Sequence, residues 1–298
     1  MDVNLLYTIY NGETFGIMIA TYFYLTGLSA GSFILSTLAY GFGIERYKPL
    51  GKIGVILATL LLVIAPLFLL LHVGKPFRSW ELFVYLNPSS PITWGSYLLT
   101  LYPINCIIYG FFMFRGNLKL TKIFGFIGIP LAISVHGYTG FILSFGKARI
   151  LWNSPIMPLL FLVSAMVSGI ALMILVCVIK DKYFSKEKEI KKALVFDLAG
   201  ILGWVIVFDL FLVMCDVSVL FVSHREAFAV GNLLLTGAFS FWFVGVETLL
   251  GKIIPLVIIF YPRTRTVTAL IFACILVVVG IYAMRCNVVI GGEFLPLL

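Results

Sequence analysis

Tyr138 is the residue of this chain best placed to meet a ligand, because it lies near one end of a long apolar run and small residues follow it. A phenol hydroxyl both donates and accepts hydrogen bonds, so it could hold the oxygen of a flat ring. Gly140 removes side-chain bulk beside it and would let such a ring approach. The pattern predicts a quinone site at the edge of a bilayer, with His72 and His136 as further candidate partners.

Three carboxylates in the second half of the sequence could move protons. Asp209 and Asp216 lie seven residues apart in one apolar run, which places them on the same helical face, and Glu247 lies within the next run. Ionisable side chains inside a bilayer are costly and mark functional sites by default. The sequence predicts a proton path through these acids, in which Arg285 pairs with Asp216. A set of ion pairs that only orients the helices is the open alternative.

The composition excludes a soluble globular domain. Of the 298 residues, 61% are hydrophobic and 11% are charged, whereas soluble domains carry about 25% charged residues. Eight apolar runs are each long enough to cross a bilayer. They lie at residues 15–43, 50–73, 91–114, 121–146, 155–179, 193–222, 233–260 and 267–290. The predicted fold is therefore an all-α polytopic membrane protein with eight transmembrane helices.

The distribution of Lys and Arg predicts the orientation. The loops after the first, third, fifth and seventh runs hold most of the loop cations, with the densest group at residues 180–192. Such loops remain in the cytoplasm, so both termini are predicted to lie outside. The net charge of +8 then reflects topology, and nucleic-acid binding is not expected. Asp2 and Glu13 stand where a signal peptide needs cations, so the first run is expected to be retained.

Cationic and aromatic side chains are concentrated in two predicted outer connections, residues 74–90 and 146–155. Those side chains are Lys75, Arg78, Trp80, Lys147, Arg149 and Trp152. Such residues suit a membrane–water interface on which a second protein docks, although an aromatic belt uses the same residue types. We predict partner docking on both connections.

Neither a metal nor a haem is expected in this chain. The five Cys residues are scattered through the apolar runs without a CxxC pair, so they do not form an iron–sulfur or zinc motif. A haem held by two histidines needs both at one depth on neighbouring helices. His72 and His136 are the one conceivable pair, and their predicted depths differ.

Several short motifs, taken in order and spacing, resemble the NrfD-type family, which comprises the membrane subunits of polysulfide reductase and related complexes. The motifs are GKPFRSW, LNPSSPITWGSYLL, GYTGFILS, LWNSPIMPLLFLVSAMVSG and, in the seventh run, FWFVGVETLLGKIIPL. The resemblance covers nearly the whole chain, from about residue 27 to residue 255.

The resemblance implies two four-helix bundles, with residues 1–146 on the quinone side and residues 147–298 carrying the candidate proton path. It implies menaquinone or ubiquinone as the bound substrate near the outer face, touched by Tyr138, and no haem or metal in this chain. The family's first-helix quinone ligand has no direct match here. The polar residues nearest to that position are Asn11, Glu13, Tyr22 and Tyr24.

The function implied is that of an integral membrane subunit of a respiratory oxidoreductase complex, not active alone. It would exchange electrons between membrane quinone and a four-cluster iron–sulfur subunit on the outer, periplasmic face of a prokaryotic cytoplasmic membrane. The catalytic subunit beyond would be a molybdopterin enzyme in many such complexes. The sequence does not reveal the terminal substrate, the direction of the quinone chemistry or the oligomeric state.

Two other classes of protein stay open from the sequence alone. A secondary transporter would also use eight spans and intramembrane acids. A structural anchor without quinone chemistry would explain the outer connections but not the acids. Co-purifying iron–sulfur subunits argue against the transporter, and bound quinone argues against the anchor.

Overall fold

Long α-helices make up most of this chain. The computed structural model describes residues 15–183, 192–263 and 265–294, and eight of the helices in them are long and apolar enough to cross a membrane. The α-helices are α1 (Ile17–Tyr40), α2 (Lys48–His72), α3 (Glu81–Val84), α4 (Pro91–Phe114), α5 (Leu118–Ser144), α6 (Met157–Tyr183), α7 (Lys192–Val222), α8 (Arg225–Leu235), α9 (Ile254–Phe260) and α10 (Val267–Phe294). A π-helix, Phe241–Ile253, runs directly into α9. The predicted fold class is confirmed.

The seventh apolar run begins later than predicted. Residues 233–260 were expected to form one span, but α8 ends at Leu235 and the spanning helix starts at Phe241. Gly237 lies in the turn between them, where a Cβ atom would come within 2.8 Å of the Leu233 Cα atom, so the turn leaves no room for a larger residue. Hydropathy alone does not detect this break, since the turn residues are themselves small or apolar.

Local signals in the sequence set the helices that carry Tyr138 and its neighbours. Pro91 starts α4 at a position where its missing N–H costs nothing. The Asn117 side chain caps α5 by accepting a hydrogen bond of 3.2 Å from the Leu120 backbone N–H. Pro103 and Pro130 lie inside these helices, where membrane helices tolerate proline because neighbouring groups satisfy the freed carbonyls.

Helices α1 and α6 occupy the centre of the structure. Each packs against the other and against α5 and α10, while α2 packs on α1 and α7 packs on α6. Gly31 and Gly169 meet where α1 crosses α6, and a Cβ atom on Gly31 would lie 2.7 Å from the Gly169 Cα atom. Small residues allow such backbone contact, which replaces the hydrophobic driving force that lipid does not supply.

Apolar side chains fill the end of the structure where α7 begins. Leu198, Leu202 and Ile206 of α7 are buried in one cluster with Ile174 of α6 and Val277 of α10. The predicted orientation makes this the cytoplasmic end. Three of the six lysines in the densest predicted cytoplasmic cation group lie outside the described residues, as do Asn11 and Glu13.

Replacing Gly31 by Leu should weaken the packing of α1 on α6. Overfilling a close-packed interface costs about 1–3 kcal/mol, so we expect a lower midpoint of thermal unfolding in detergent. Gly200→Leu is the matched control, because a Cβ atom at Gly200 on α7 meets no atom within 4 Å. Equal midpoints for the two variants would contradict the proposed crossing.

Candidate functional site

Tyr138 lies in the last turns of α5 with its phenol ring seated on Gly95 of α4. A Cβ atom built on Gly95 would fall onto the Tyr138 ring, so only glycine leaves room for the phenol there. Among the described residues the Tyr138 hydroxyl has no hydrogen-bond partner, and the side chain is half-buried. The phenol is thus held in place with a free polar end.

Gly95 was missed by the sequence reasoning, although it lies in the motif LNPSSPITWGSYLL. Gly140, which was predicted to open space for a ring, faces another neighbour. A Cβ atom on Gly140 would lie 2.7 Å from the Met157 carbonyl oxygen at the start of α6. Gly140 therefore brings α5 against α6, and Gly95 is the glycine that makes room beside Tyr138.

The two histidines differ in their surroundings. His136 is fully buried, and its Nε2 atom would lie 3.2 Å from a Cβ atom on Gly27 of α1. Because it precedes Tyr138 by two residues, it leaves α5 on a different side, towards α1 and α6. The structure thus gives these two side chains different neighbours. His72 is the half-buried last residue of α2 and stays a predicted partner of the quinone.

A buried ion triad joins α7 to the π-helix. The Lys252 Nζ atom lies 2.8 Å from Asp209 Oδ2 and 3.1 Å from Glu247 Oε1. Asn287 of α10 donates a hydrogen bond of 2.9 Å to the other carboxylate oxygen of Glu247. Two of the predicted acids are therefore brought together, and the cation that holds them is one to which the sequence reasoning gave no role.

The π-helix explains why Lys252 was overlooked. In an α-helix, residues five apart point about 140° away from each other, so Glu247 and Lys252 would diverge. The i to i−5 geometry of a π-helix stacks them instead, as it does for the Thr248 hydroxyl, which donates to the Phe243 carbonyl at 2.8 Å. Gly251 packs directly on the backbone of Gly280, which keeps α10 close to this segment.

Asp216 is separate from the triad and half-buried towards the far end of α7. It accepts a hydrogen bond of 2.6 Å from the Ser154 hydroxyl. The predicted pair with Arg285 is wrong, because Arg285 Nη2 donates to the Phe161 carbonyl at 3.0 Å and to Ser164 Oγ at 2.8 Å. The guanidinium also lies 3.8 Å from the Phe161 ring centre, where a cation is favoured.

Two cavities meet at Asp216. The larger, of about 790 Å³, is open to solvent and has Lys147, Ser154, His224 and Asp216 in its wall. The smaller, of about 20 Å³, is lined by Asp216, Glu247 and Asn287, and this volume suffices for about one water molecule. Asp216 therefore lines both a cavity that is open to solvent and a small cavity that contains the carboxylate of Glu247 in its wall.

Asp197 lies at the opposite end of α7, where Arg46 pairs with it. Both side chains are partly exposed, so this pair belongs to the surface and not to the buried triad. Between Asp197 and Asp209 the buried residues of α7 are apolar or glycine.

The connection at residues 74–90 is exposed. Its residue Trp80 is 60% exposed and Phe77 is 93% exposed. Arg78 donates two hydrogen bonds to Glu81, of 2.7 and 2.9 Å. These bonds hold the pKa of the Glu81 carboxyl below its ordinary value. Lys75 is also exposed, so all three predicted docking residues of this connection are accessible.

Trp152 cannot serve the docking role predicted for it, because it is buried. Its indole N–H donates a hydrogen bond of 2.7 Å to the Val288 carbonyl of α10, and its ring lies on Gly292. Arg149 ties the same loop to α10 by donating to the Glu293 carbonyl at 3.2 Å. Of the three docking residues predicted in residues 146–155, only Lys147 is fully exposed.

A metal site was not expected from the sequence. Within residues 15–183, 192–263 and 265–294, His, Cys, Asp and Glu side chains do not form a group of three that could hold a metal ion. The cysteines in this part of the protein are free thiols within helices.

A polytopic helical membrane protein with a phenol seated on a glycine and a buried ion triad is the class that this fold and site define. The chain belongs to the NrfD family, because the family described as "Polysulphide reductase, NrfD" matches residues 7–296. The resemblance found in the sequence is thereby confirmed.

Similar proteins come from several reductase systems. The C subunit of selenate reductase from Mesobacillus selenatarsenatis is 28% identical over 95% of this chain and 75% of its own length. The Hdr-like menaquinol oxidoreductase integral membrane subunit of Archaeoglobus fulgidus is 30% identical over 96% of this chain and 72% of its own length. The C polypeptide of polysulfide reductase from Wolinella succinogenes is 28% identical, over 95% and 96%. Homologues of this protein thus belong to oxidoreductases, and the Archaeoglobus relative is named as an integral membrane subunit.

Replacing Lys252 by Met should strongly destabilise the protein, because two buried carboxylates would lose their cation. Breaking a buried ion pair in this way costs about 3–5 kcal/mol, and the midpoint of thermal unfolding in detergent measures the loss. The triple variant Lys252→Met, Asp209→Asn, Glu247→Gln removes all three charges and should recover much of the stability. A triple variant as unstable as the single one would argue against the triad.

Proposed function

We propose that this chain is the quinone-reactive membrane subunit of a multi-subunit oxidoreductase, which exchanges electrons between membrane menaquinone or ubiquinone and an iron–sulfur subunit. The observation that carries the proposal is the Tyr138 phenol, seated on Gly95 with its hydroxyl unpartnered among the described residues. The name of the Archaeoglobus relative, a menaquinol oxidoreductase membrane subunit, supports this choice of substrate.

At the quinone site, Tyr138 hydrogen-bonds one oxygen of the head group, and His72 is the further candidate partner. Oxidation of the quinol releases two electrons and two protons. The site must therefore deliver the electrons to one acceptor and the protons to another. The protein positions the ring and handles the protons, and the redox chemistry belongs to the quinone. The reverse direction, quinone reduction, uses the same groups.

The electrons pass to a partner docked on the outer side. The exposed residues Lys75, Arg78 and Trp80, together with Lys147, form the docking surface that we propose. A four-cluster iron–sulfur subunit would bind there and lead to a catalytic subunit, for which a molybdopterin enzyme is our candidate. The complex would lie in a prokaryotic cytoplasmic membrane with these partners on the periplasmic face.

The protons use the second half of the protein. We assign residues 1–146 to a quinone-binding four-helix bundle and residues 147–298 to a second bundle that holds the proton path. Its members are Asp209, Glu247 and Asp216, with Lys252 as the cation between the first two. The two cavities that meet at Asp216 support exchange with the outer side.

Tyr138→Phe tests the proposal in the complex purified with its partner subunits. We expect intact assembly but weaker quinone turnover, by roughly tenfold, because one hydrogen bond to the head group is lost. Tyr109→Phe is the matched control, since it removes the buried hydroxyl that lies 3.1 Å from Ser36 Oγ, further along α4 from Gly95. Extraction of quinone from the wild-type complex completes the experiment.

Wild-type turnover in Tyr138→Phe would remove Tyr138 from the site. A wild-type complex without extractable quinone would favour an anchor, and a lone polypeptide without redox partners would favour a transporter.

Asp216→Asn should slow proton exchange without changing the fold. The amide still accepts the hydrogen bond from Ser154, but it cannot carry a proton between the two cavities. We expect slower quinone turnover at unchanged quinone content, measured beside the exposed control Asn153→Asp in the same large cavity. Unchanged turnover would place the proton route elsewhere.

A further inference from the structure

His136 is an unusual residue for the interior of a membrane protein. It is fully buried on α5, and neither ring nitrogen has a hydrogen-bond partner among the described residues. More than nine in ten buried polar groups in native proteins are paired, because an unpaired one loses its hydrogen bonds to water without replacement. An imidazole in this position therefore indicates a partner other than the protein.

Arg285 has the same deficit on the other side of the α1–α6 layer. Its Nη2 atom is bonded to Phe161 and Ser164, but its Nε and Nη1 atoms have no partner among the described residues. A guanidinium has five N–H donors in a fixed plane. Nη2 uses its two, so the three on Nε and Nη1 have no acceptor among the described residues. A buried cation with unused donors is costly unless hydrogen-bond acceptors lie beside it.

The carboxylate of Asp209 completes the set. Lys252 Nζ lies 2.8 Å from its Oδ2 atom, and the other carboxylate oxygen, Oδ1, has no donor among the described residues. Arg285 lies two residues before Asn287 on α10, and Asn287 donates to Glu247 of the ion triad that contains Asp209. Polar groups from α5, α7 and α10 with unused hydrogen-bonding capacity thus lie around one part of the interior.

Gly27 and Ser164 show where this set of polar groups passes from α5 to α10. A Cβ atom on Gly27 would lie 3.2 Å from His136 Nε2 and 3.7 Å from the Ala165 Cα atom. Ala165 follows Ser164, the residue whose hydroxyl accepts from Arg285 at 2.8 Å. Because Gly27 has no side chain, the imidazole reaches α6 beside the residue that holds the guanidinium.

We propose that His136, Arg285 and Asp209 surround ordered internal water molecules, and that His136 relays protons through them between the quinone site and the ion triad. Neutral imidazole alone among these groups has one donor and one acceptor nitrogen. It takes up a proton at one nitrogen and releases one from the other, so charge is conserved and no electron is moved. The relay rests on the proposed function, while the hydration site does not.

The hydration site is tested on the wild-type complex, purified with its partner subunits, by cryo-electron microscopy at a resolution that shows buried water. We expect density within hydrogen-bond distance of a His136 ring nitrogen and of Arg285 Nε or Nη1. A map that resolves water elsewhere but shows only carbon atoms around both side chains would overturn the proposal.

The relay is tested with His136→Leu and His136→Gln in the same complex. Both should keep wild-type amounts of extractable quinone, lose about 100-fold in quinone turnover and show a larger solvent hydrogen isotope effect. The Gln variant keeps hydrogen bonding in the cavity but cannot relay a proton, so it separates relay from folding. Ser168→Ala is the control, because its buried hydroxyl bonds only to its own helix.

The outcomes separate the two proposals. Loss of quinone from His136→Gln, with Ser168→Ala unchanged, would make His136 a quinone ligand and overturn the relay while supporting quinone binding. Wild-type turnover in His136→Gln would also overturn the relay. A wild-type complex without quinone would remove the proposed function, and the water density would then decide the hydration site alone.

Discussion

The interaction on which the second half of this structure depends is the contact of one lysine with two carboxylates in the membrane interior. Lys252 holds Asp209 on α7 and Glu247 on its own helix, and each charge would be prohibitive there without the others. The helical geometry of residues 241–253 and the glycine contact with α10 follow from the need to bring these groups together. Asn287 then extends the polar set to α10.

One helix, α5, serves both parts of the molecule. Tyr138 faces α4, where its ring lies on a glycine. His136 faces α1 and α6, and Arg285 of α10 bonds to α6 from the other side. A quinone oxidised or reduced beside Tyr138 would therefore be separated from the ion triad by the central helix pair. In the proposed function, that arrangement would keep the redox chemistry near Tyr138 and the proton chemistry among fixed charges.

Hydropathy and residue type predicted the eight spans, the helical fold and the candidate acids, because each of these is visible in a single helix. The partners of Lys252 were not predictable, since its pairing requires a π-helix and the sequence was interpreted with α-helical periodicity. The sequence analysis placed Trp152 at an interface because of its residue type, yet its indole N–H donates to the Val288 carbonyl inside the protein. The role of Gly95 could not be predicted from its own helix either, because it depends on the Tyr138 ring of another helix.

The π-helix at Phe241–Ile253 also limits how the length of this protein can vary. Winding the same residues as an α-helix would leave Glu247 and Lys252 five residues apart and turn them about 140° away from each other. In most membrane spans a lost residue is absorbed by a small tilt or by thinning of the lipid. Here the winding of the helix is fixed by the pairing of Glu247 with Lys252, so insertions and deletions should accumulate in the connecting loops and spare this span.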